Sequence, residues 1–363
     1  MYALDEIAAD ASAFYTAVLK GQPYQPLYVK MKLVWDCNLR CGMCNHWRSK
    51  REPPLDIVRL KTIVDELVEL GSRKIHLSGG EPTLHPDLEA LIAYMSEHGL
   101  RVTMTTNATL ITRERGRSLA EAGLRGVNVS LDSPDPRLHD RIRGVKGAWK
   151  RAIKGFRYLR RRMKKGKVRV NTVVGRLNYA SLVDLPDMVA ELGADMLNLI
   201  PLDDHTGELQ RLSKRQIKDY NERIAPVIAE KSLALGLMQN VRQAYPFGQT
   251  SREINLSRNG FYAQGFYDRH PCFAPWTHAM IDHVGRVSVC CMLREGPIMG
   301  DLRQQSFAEV WAGANYAALR TSQTLPLFPA CRYCDDFLDE NRQLANLPQV
   351  QNLREVRNLR EQI

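Results

Sequence analysis

An α/β fold with a parallel sheet, followed by a smaller cysteine-bearing module, is predicted by three observations. Between residues 27 and 201, six extended apolar segments alternate with helical ones, the pattern of parallel strands joined by right-handed crossovers. The motifs of unusual composition fall just after these segments, where the active sites of β/α barrels gather. The eight cysteines divide into three near the N-terminus and five after residue 271, so two parts of the chain carry thiol sites.

In chain order, strands are expected at 27–34, 74–77, 102–106, 126–131, 168–174 and 196–199, with helices at 55–70, 85–98, 112–122, 148–163 and 181–192. The segment Val127-Asn128-Val129-Ser130-Leu131-Asp132 alternates apolar and polar residues up to a terminal carboxylate, the period of a half-buried strand. From residue 213 to 235 apolar residues recur at helical intervals, among them Ile217, Tyr220, Ile224 and Val227. The rest of 202–270 is rich in Gly, Asn, Tyr and Phe and reads as a cover over a cavity; Tyr262, Phe266 and Tyr267 either line it or pack as a satellite core. A hairpin over 280–290 turning at 283–285, a helix over 306–320 and the pair Cys331-x2-Cys334 form the second module. Leu347, Val350, Leu353, Val356 and Leu359 make a helical stripe in the tail. The division is an N-terminal extension at 1–26, a barrel domain at 27–205, a linker and cover at 206–270, a cysteine module at 271–345 and a C-terminal helix at 346–363.

A chain of 363 residues is long enough for two domains. No run approaches the roughly 18 uninterrupted apolar residues of a spanning helix, and the acidic start Met1-Tyr2-Ala3-Leu4-Asp5-Glu6 lacks the apolar core of a signal peptide. A cytoplasmic protein, with no membrane partner, is expected. Cysteines clustered in this way oppose a secreted disulfide framework and point to metal sites in a reducing compartment. The formal charge of +11 is concentrated in Arg157-Tyr158-Leu159-Arg160-Arg161-Arg162-Met163-Lys164-Lys165-Gly166-Lys167. That run has no aromatic interleaving and sits at a helix end, where cations favour the dipole, so nucleic acid is not the expected partner.

Cys37, Cys41 and Cys44 stand in Trp35-Asp36-Cys37-Asn38-Leu39-Arg40-Cys41-Gly42-Met43-Cys44. Three such thiolates can hold three irons of a four-iron cluster and leave the fourth open, whereas clusters that only carry electrons are closed by four thiolates. Further on, Ser78-Gly79-Gly80-Glu81-Pro82 follows a strand; its paired glycines permit close backbone approach or positive φ. Together, the Cys-x3-Cys-x2-Cys spacing and the Gly-Gly-Glu-Pro turn resemble those of the radical S-adenosylmethionine (radical SAM) enzymes.

That resemblance implies a partial (β/α)6 TIM-like barrel over about half the chain, a 4Fe–4S cluster on the three cysteines, and SAM as cofactor. It places Gly79, Gly80, Glu81 and Pro82 at the methionyl amine. Ser130 and Asp132 fall on the strand contacting ribose and carboxylate, with Arg143 the candidate for the cofactor carboxylate and Arg141 its substitute. Asn107, with Thr106, ends the third strand and is expected to line the cavity. Met43 occupies the place where the family has an aromatic residue near the adenine, and Trp47 is the alternative surface. Cys272, Cys290, Cys331 and Cys334, with Gly300-Asp301-Leu302 and Phe307-Ala308-Glu309-Val310-Trp311, resemble the family's C-terminal SPASM and shortened twitch modules. With no cysteine after Cys334, one auxiliary 4Fe–4S cluster is implied.

Zinc is the alternative at both sites, using His46 as fourth ligand of the first set and a four-cysteine ribbon for the second. Cys291 is left over, as a buried apolar residue, an alternate ligand to Cys290 or a catalytic hydrogen donor. The expected chemistry is reductive cleavage of SAM to a 5′-deoxyadenosyl radical that takes a hydrogen from a substrate. Only 36 residues precede Cys37, too few for the leader-binding domain common among peptide-modifying relatives. The expectation is therefore a small polar substrate of the sugar, aminocyclitol, aminoglycoside or nucleoside class, dehydrogenated or epimerised. A stand-alone peptide maturase is the second reading, and a zinc-stabilised RNA-binding or regulatory protein the non-enzymatic one. A reducing donor such as flavodoxin or ferredoxin is the expected protein partner.

Overall fold

The computed structural model describes residues 4–48, 52–203, 210–293 and 296–345. Six strands alternate with helices as the sequence predicts: β1 (Tyr28–Val34), β2 (Lys74–Gly79), β3 (Arg101–Thr106), β4 (Gly126–Ser130), β5 (Lys167–Val174) and β6 (Met196–Pro201). All five pairs between neighbours in this series are parallel. Two short N-terminal helices, α1 (Leu4–Ala9) and α2 (Ala11–Lys20), precede β1; α3 (Ile57–Glu69), α4 (Leu88–Glu97), α5 (Arg113–Glu121), α6 (Pro136–Arg143), α7 (Ala148–Arg162) and α8 (Leu185–Glu191) lie between the strands.

Strand parity divides the sheet chemically. Val29, Met31 and Leu33 of β1, Ile75 and Leu77 of β2, Val102 and Met104 of β3, and Val127 and Val129 of β4 are buried in the main core. Residues of the other parity are polar: Lys30, His76, Thr103, Thr105, Asn128, Asn171 and Asn198. They meet one another across strands, His76 bonding Thr103 and Thr105 (2.9 Å each) and the Asn198 amide donating to Asn171 (2.8 Å). One face of the sheet therefore holds the helices by apolar burial, at about 1.5–3 kcal/mol per large side chain, and the other offers a polar lumen.

The second module is joined to this sheet. β7 (His278–Ile281) runs parallel to β1, in register from Tyr28↔His278 to Met31↔Ile281. The hairpin partner β8 (Arg286–Ser288) and the short β9 (Gly300–Asp301) extend the order to β6-β5-β4-β3-β2-β1-β7-β8-β9. The expected turn is confirmed by Gly285 at φ 91° and by Asp282, whose carboxylate accepts from the amides of Val284 and Arg286.

The helical run after β6 comprises α9 (Lys214–Asp219), a π turn at Tyr220–Ile224 and α10 (Ala225–Ala234). α11 (Ser251–Ser257) and α12 (Ala274–Thr277) follow; the helix expected at 306–320 is broken by Gly313 into α13 (Phe307–Ala312) and α14 (Ala314–Thr321), and α15 (Leu338–Ala345) closes the described chain. Tyr262 and Tyr267 are core residues, 2% exposed, so packing rather than cavity lining is their role. The tail stripe at 346–363 lies outside the described residues.

Candidate active site

The first cysteine loop leaves the C-terminal end of β1 and is pinned from two sides by backbone contacts. On one side, the amides of Gly80 and Glu81 donate to the carbonyls of Val34 and Asp36 (2.9 Å each). A Cβ on Gly80 would lie 2.0 Å from the Asp36 oxygen, and one on Gly79, at φ +142°, would lie 2.4 Å from the Val34 oxygen. The glycine pair is thus required by the approach of the cysteine loop itself. On the other side, the amides of Arg40 and Gly42 donate to the carbonyls of Arg143 and Ile142 (3.0 and 3.3 Å).

Glu81 is 1% exposed. One carboxylate oxygen accepts from the hydroxyls of Thr83 (2.7 Å) and Thr106 (2.6 Å) and from the Thr83 amide (3.2 Å), and the other accepts from the Asn107 amide (2.8 Å). It caps the turn whose first residue is Pro82 and ties β2 to the end of β3. Burial raises its pKa, and these bonds oppose the rise. This side chain, expected at the methionyl amine, accepts four hydrogen bonds from the protein, three on one oxygen and one on the other, so it also holds the shape of the turn.

Asn107 also supports the loop. Its amide nitrogen donates to Asn38 (2.9 Å) and lies 4.0 Å from the Cys37 sulfur, while its oxygen accepts from Thr109. Asp132 departs most from expectation. It is fully buried, with one oxygen 2.7 Å from Nε of Arg143 and the other accepting from the Val173 amide (3.0 Å). It is an internal strut between β4, α6 and β5 rather than a cofactor contact, because a sealed carboxylate needs a fixed cation and donor. Arg143, the candidate for the cofactor carboxylate, is part of the same strut: Nε faces Asp132 and Nη1 lies 3.8 Å from the Cys41 sulfur. Burial lowers its pKa, and Asp132 and Cys41 more than reverse that. Arg141, the proposed substitute, is exposed. Ser130 is partly buried at the end of β4, in register with Asn171.

The three thiols sense one another. Burial, with Cys41, Glu81 and Cys44 adding to it, pushes Cys37 up to about 11; burial also raises Cys41, against the pull of Arg143. Loading iron must therefore displace protons, and a cationic Arg143 beside Cys41 favours the thiolate. Leu39, Cys41 and Ala148 form a small buried cluster with Met43 against it, so Met43 packs inward. Trp47 is 36% exposed, its indole donating to the Cys41 carbonyl (2.9 Å). His46 stands 3.3 Å from the Cys44 sulfur, its ring tilted against Trp35 at 4.4 Å.

In the second module Cys272, Cys290, Cys331 and Cys334 are drawn from three segments. Cys290 is raised well above the usual thiol range by burial, with Cys272 and Cys331 among its charged neighbours, and Cys334 likewise, by burial, Cys290 and Cys272. Cys291 points elsewhere. Its thiol donates to Asp336 (2.6 Å) and accepts from Lys30 (3.5 Å), and Lys30 pairs with Asp336 (2.9 Å). Burial and Asp336 push Cys291 up to about 12. Sequence reasoning missed Lys30 and Asp336; the signals present were a lysine of inward parity on β1 and the Cys334-Asp335-Asp336 run.

A model of the Radical SAM superfamily matches residues 35–189 and one of an iron–sulfur cluster-binding domain, SPASM, matches residues 272–335. Mycofactocin maturase MftC of Mycobacterium tuberculosis is 31% identical over 319 residues, which is 85% of this chain and 76% of that protein. The chain belongs to the radical SAM superfamily. An AdoMet-dependent heme synthase of Methanosarcina barkeri is 28% identical over 315 residues, 83% of this chain and 86% of that protein. In fold, the radical SAM chain is similar to Streptococcus suis SuiB bound to the precursor peptide SuiA, with a TM-score of 0.63, 20% identity, and coverage of 91% of this chain and 76% of that one.

The radical SAM enzyme accordingly uses SAM and 4Fe–4S clusters, and the donor sets fit them. Cys37, Cys41 and Cys44 share one loop beside a cation, and Cys272, Cys290, Cys331 and Cys334 lie within the SPASM match, near enough that Cys272 and Cys331 act electrostatically on Cys290; iron–sulfur clusters displace zinc as the reading of both sites. No helix among the described residues is long and apolar enough to cross a membrane.

Proposed function

We propose that this radical SAM enzyme is a maturase acting on a peptide. The observation that carries the reading is the 31% identity to mycofactocin maturase, which runs through the barrel and the SPASM module together. The likeness in fold to SuiB, crystallised with a precursor peptide, agrees with it. This takes the place of the sugar-class substrate expected from the sequence. The lumen suits a peptide: burial holds His76 neutral, at about 3, and hydroxyls and amides of Thr105, Asn128, Asn171 and Asn198 offer both donors and acceptors to backbone amide groups.

When bound, the cluster and SAM supply a 5′-deoxyadenosyl radical that abstracts a substrate hydrogen. The chain positions the C–H bond and excludes stray donors. Cys37, Cys41 and Cys44 hold the SAM cluster, the turn at Gly79, Gly80 and Pro82 presents its backbone to the cofactor amine, and Ser130 faces its ribose side. Cys272, Cys290, Cys331 and Cys334 hold the auxiliary cluster. Cys291, locked between Asp336 and Lys30, is read as a fixed polar contact in a net oxidation. The alternative role as hydrogen donor requires deuterium from solvent in the product and its loss in Cys291→Ala.

A second reading, chemistry on a carboxylate-bearing haem precursor, is favoured by Lys74, Arg101 and Arg169 at the base of the lumen, where burial and the neighbouring arginines lower Lys74 to about 8. The test is anaerobic incubation of reconstituted enzyme with SAM, reductant and either precursor peptides or iron-coproporphyrin. Formation of 5′-deoxyadenosine matched by a peptide mass change establishes the maturase; turnover of the porphyrin alone replaces it with the second reading.

A further inference from the structure

We propose that the N-terminal mouth of the barrel, the end opposite the cysteine loop, is the binding site for an acidic stretch of the substrate peptide. The inference rests on the maturase reading and adds to it the charge of the segment recognised and its distance from the residue modified.

Basic residues stand at the entry of four neighbouring strands. Lys74 opens β2, Arg101 opens β3, Arg125 precedes β4 and Lys167 opens β5, with Arg169 two residues on. Lys74, Arg101, Gly126 and Arg169 share the lumen parity of His76, Thr103, Asn128 and Asn171, and the register sets Lys74 against Arg101 and Gly126 against Lys167. A Cβ on Gly126 would lie 3.1 Å from the Thr103 methyl and 3.4 Å from Nη1 of Arg169, so that guanidinium lies across the base of β4. Outside this ring, a cavity of about 440 Å³ is lined by Arg101, Arg125, Lys165 and Lys167, all exposed, and among the described residues by no carboxylate. Arg101 belongs to both, so the surface cavity and the lumen are continuous in charge.

These cations are short of counter-charge. Among the described residues Lys74, Arg101, Arg125, Lys165 and Arg169 form no ion pair. Asp195, beside β5, is already shared by Lys167 (3.1 Å), Arg160 (3.0 Å) and the Val168 amide (2.8 Å), and the Lys74 ammonium faces the Tyr28 ring at 4.7 Å. Burial, then Arg101, Arg169 and Lys30, lowers Lys74 to about 8 against the pull of Asp336, and burial and Arg101 lower Arg169 against that of Asp195. Like charges gathered at a half-buried mouth repel one another and are relieved by an anion bound there. Guanidinium groups suit carboxylates, which accept paired bonds from them, whereas the cavity lining holds no aromatic ring on which a nucleic-acid base could stack. A second basic cavity, beside α5 and α7, differs in including Glu114 with Arg113, Arg151 and Lys154. β2 and β3 are six residues long, about 20 Å at ~3.3 Å per residue. An extended peptide held at the mouth therefore places a residue about six positions away at the cysteine-loop end.

The test titrates fluorescein-labelled hexaglutamate, hexaglutamine and oligouridylate against the reconstituted enzyme, by fluorescence anisotropy at low and high salt, with inorganic phosphate as competitor. Wild type is compared with Arg125→Glu/Lys165→Glu, which changes the outer cavity and not the lumen, and with the charge-matched Arg151→Glu/Lys154→Glu in the second cavity. Hexaglutamate should bind the wild type, less tightly at high salt, and about tenfold more weakly in Arg125→Glu/Lys165→Glu. The Arg151→Glu/Lys154→Glu control should stay within about twofold of wild type, and hexaglutamine should not bind. If the charge reversal unfolds the protein, Arg125→Gln/Lys165→Gln carries the same comparison with a loss of about threefold. Absence of hexaglutamate binding, an equal loss in both charge-reversed variants, displacement by phosphate at equal charge, or tighter binding of oligouridylate to the same cavity overturns the proposal. The maturase reading is scored apart from this. Precursor peptides turned over with one KM by wild type and Arg125→Glu/Lys165→Glu overturn the site and leave the maturase; hexaglutamate binding with no precursor peptide turned over overturns the maturase and the peptide assignment together.

Discussion

Cys37, Cys41 and Cys44 come from one loop of consecutive sequence whose rim is exposed at Arg40, Asn45 and Trp47, whereas Cys272, Cys290, Cys331 and Cys334 come from segments up to 62 residues apart, tied together by buried side chains. Asn341 shows the difference: fully buried, it accepts from the Phe273 amide (2.9 Å), donates to the Tyr267 hydroxyl (3.1 Å) and lies 3.8 Å from the Cys272 sulfur. The first site is shaped by the backbones packed against it and keeps an approach for cofactor and electron. The second is held by contacts between distant segments, and its four thiols suit a cluster closed by four thiolates that exchanges no ligand. If that contrast is correct, substitutions around the first site should disturb SAM chemistry while the auxiliary iron stays in place.

Asp132→Asn should have the largest effect, since it leaves Arg143 uncompensated in a buried position. About 3–5 kcal/mol of stability is expected to be lost, read by urea denaturation, with iron on the first loop lost before iron in the second module. Glu81→Gln replaces a carboxylate that holds four donors; a cost of about 1.5–3 kcal/mol is expected for its charged hydrogen bonds, with SAM affinity falling in equilibrium binding because the turn loosens. An unchanged SAM affinity would detach this turn from the cofactor. Gly80→Ala forces the loop backbone away from the β2 turn, at about 1–3 kcal/mol. Its measurable result is reduced iron incorporation at the first site, by iron assay and electron paramagnetic resonance.

The smallest effect concerns pH. Burial lowers His76 and His278 to about 3 and His139 to about 4. An unfolded chain binds protons at these groups near pH 6.5, so between pH 6.5 and those values it holds more protons than the folded one. Stability contributed by the neutral imidazoles is therefore full above about pH 6.5 and falls as pH decreases through that window. His76→Gln should lose stability less steeply than wild type between pH 7.5 and 5.5 in paired urea titrations; identical slopes would show that His76 takes up its proton without cost.

The barrel strands were legible because each carries its own period: Val127 to Asp132 alternates, and its apolar parity is the one buried. The hairpin at β7 and β8 was legible from its turn. What local pattern does not carry is contact across great separation. The parallel pairing of β1 with β7 joins Tyr28 to His278, and nothing in either segment names the other. The same reason hid the Lys30, Asp336 and Cys291 cluster. At the first site the motif residues were found but some of their tasks were not. Gly79 and Gly80 answer to the crowding of Val34 and Asp36, and Asp132 to Arg143, and these constraints exist only once the strands are assembled. Gly313, which splits α13 from α14, is visible in the sequence, but the extended backbone it adopts there is not.

The central claim is that SAM is cleaved at the three-thiol loop while the four-thiol module holds a separate cluster. It is tested most directly by replacing Cys37, Cys41 and Cys44 together with Ala, reconstituting anaerobically, and measuring iron, the spectrum of the reduced protein with and without SAM, and 5′-deoxyadenosine. Iron should fall from about eight to about four per chain, the remaining signal should not respond to SAM, and no 5′-deoxyadenosine should form. Undiminished SAM cleavage, or loss of all iron from a folded protein, would contradict the account.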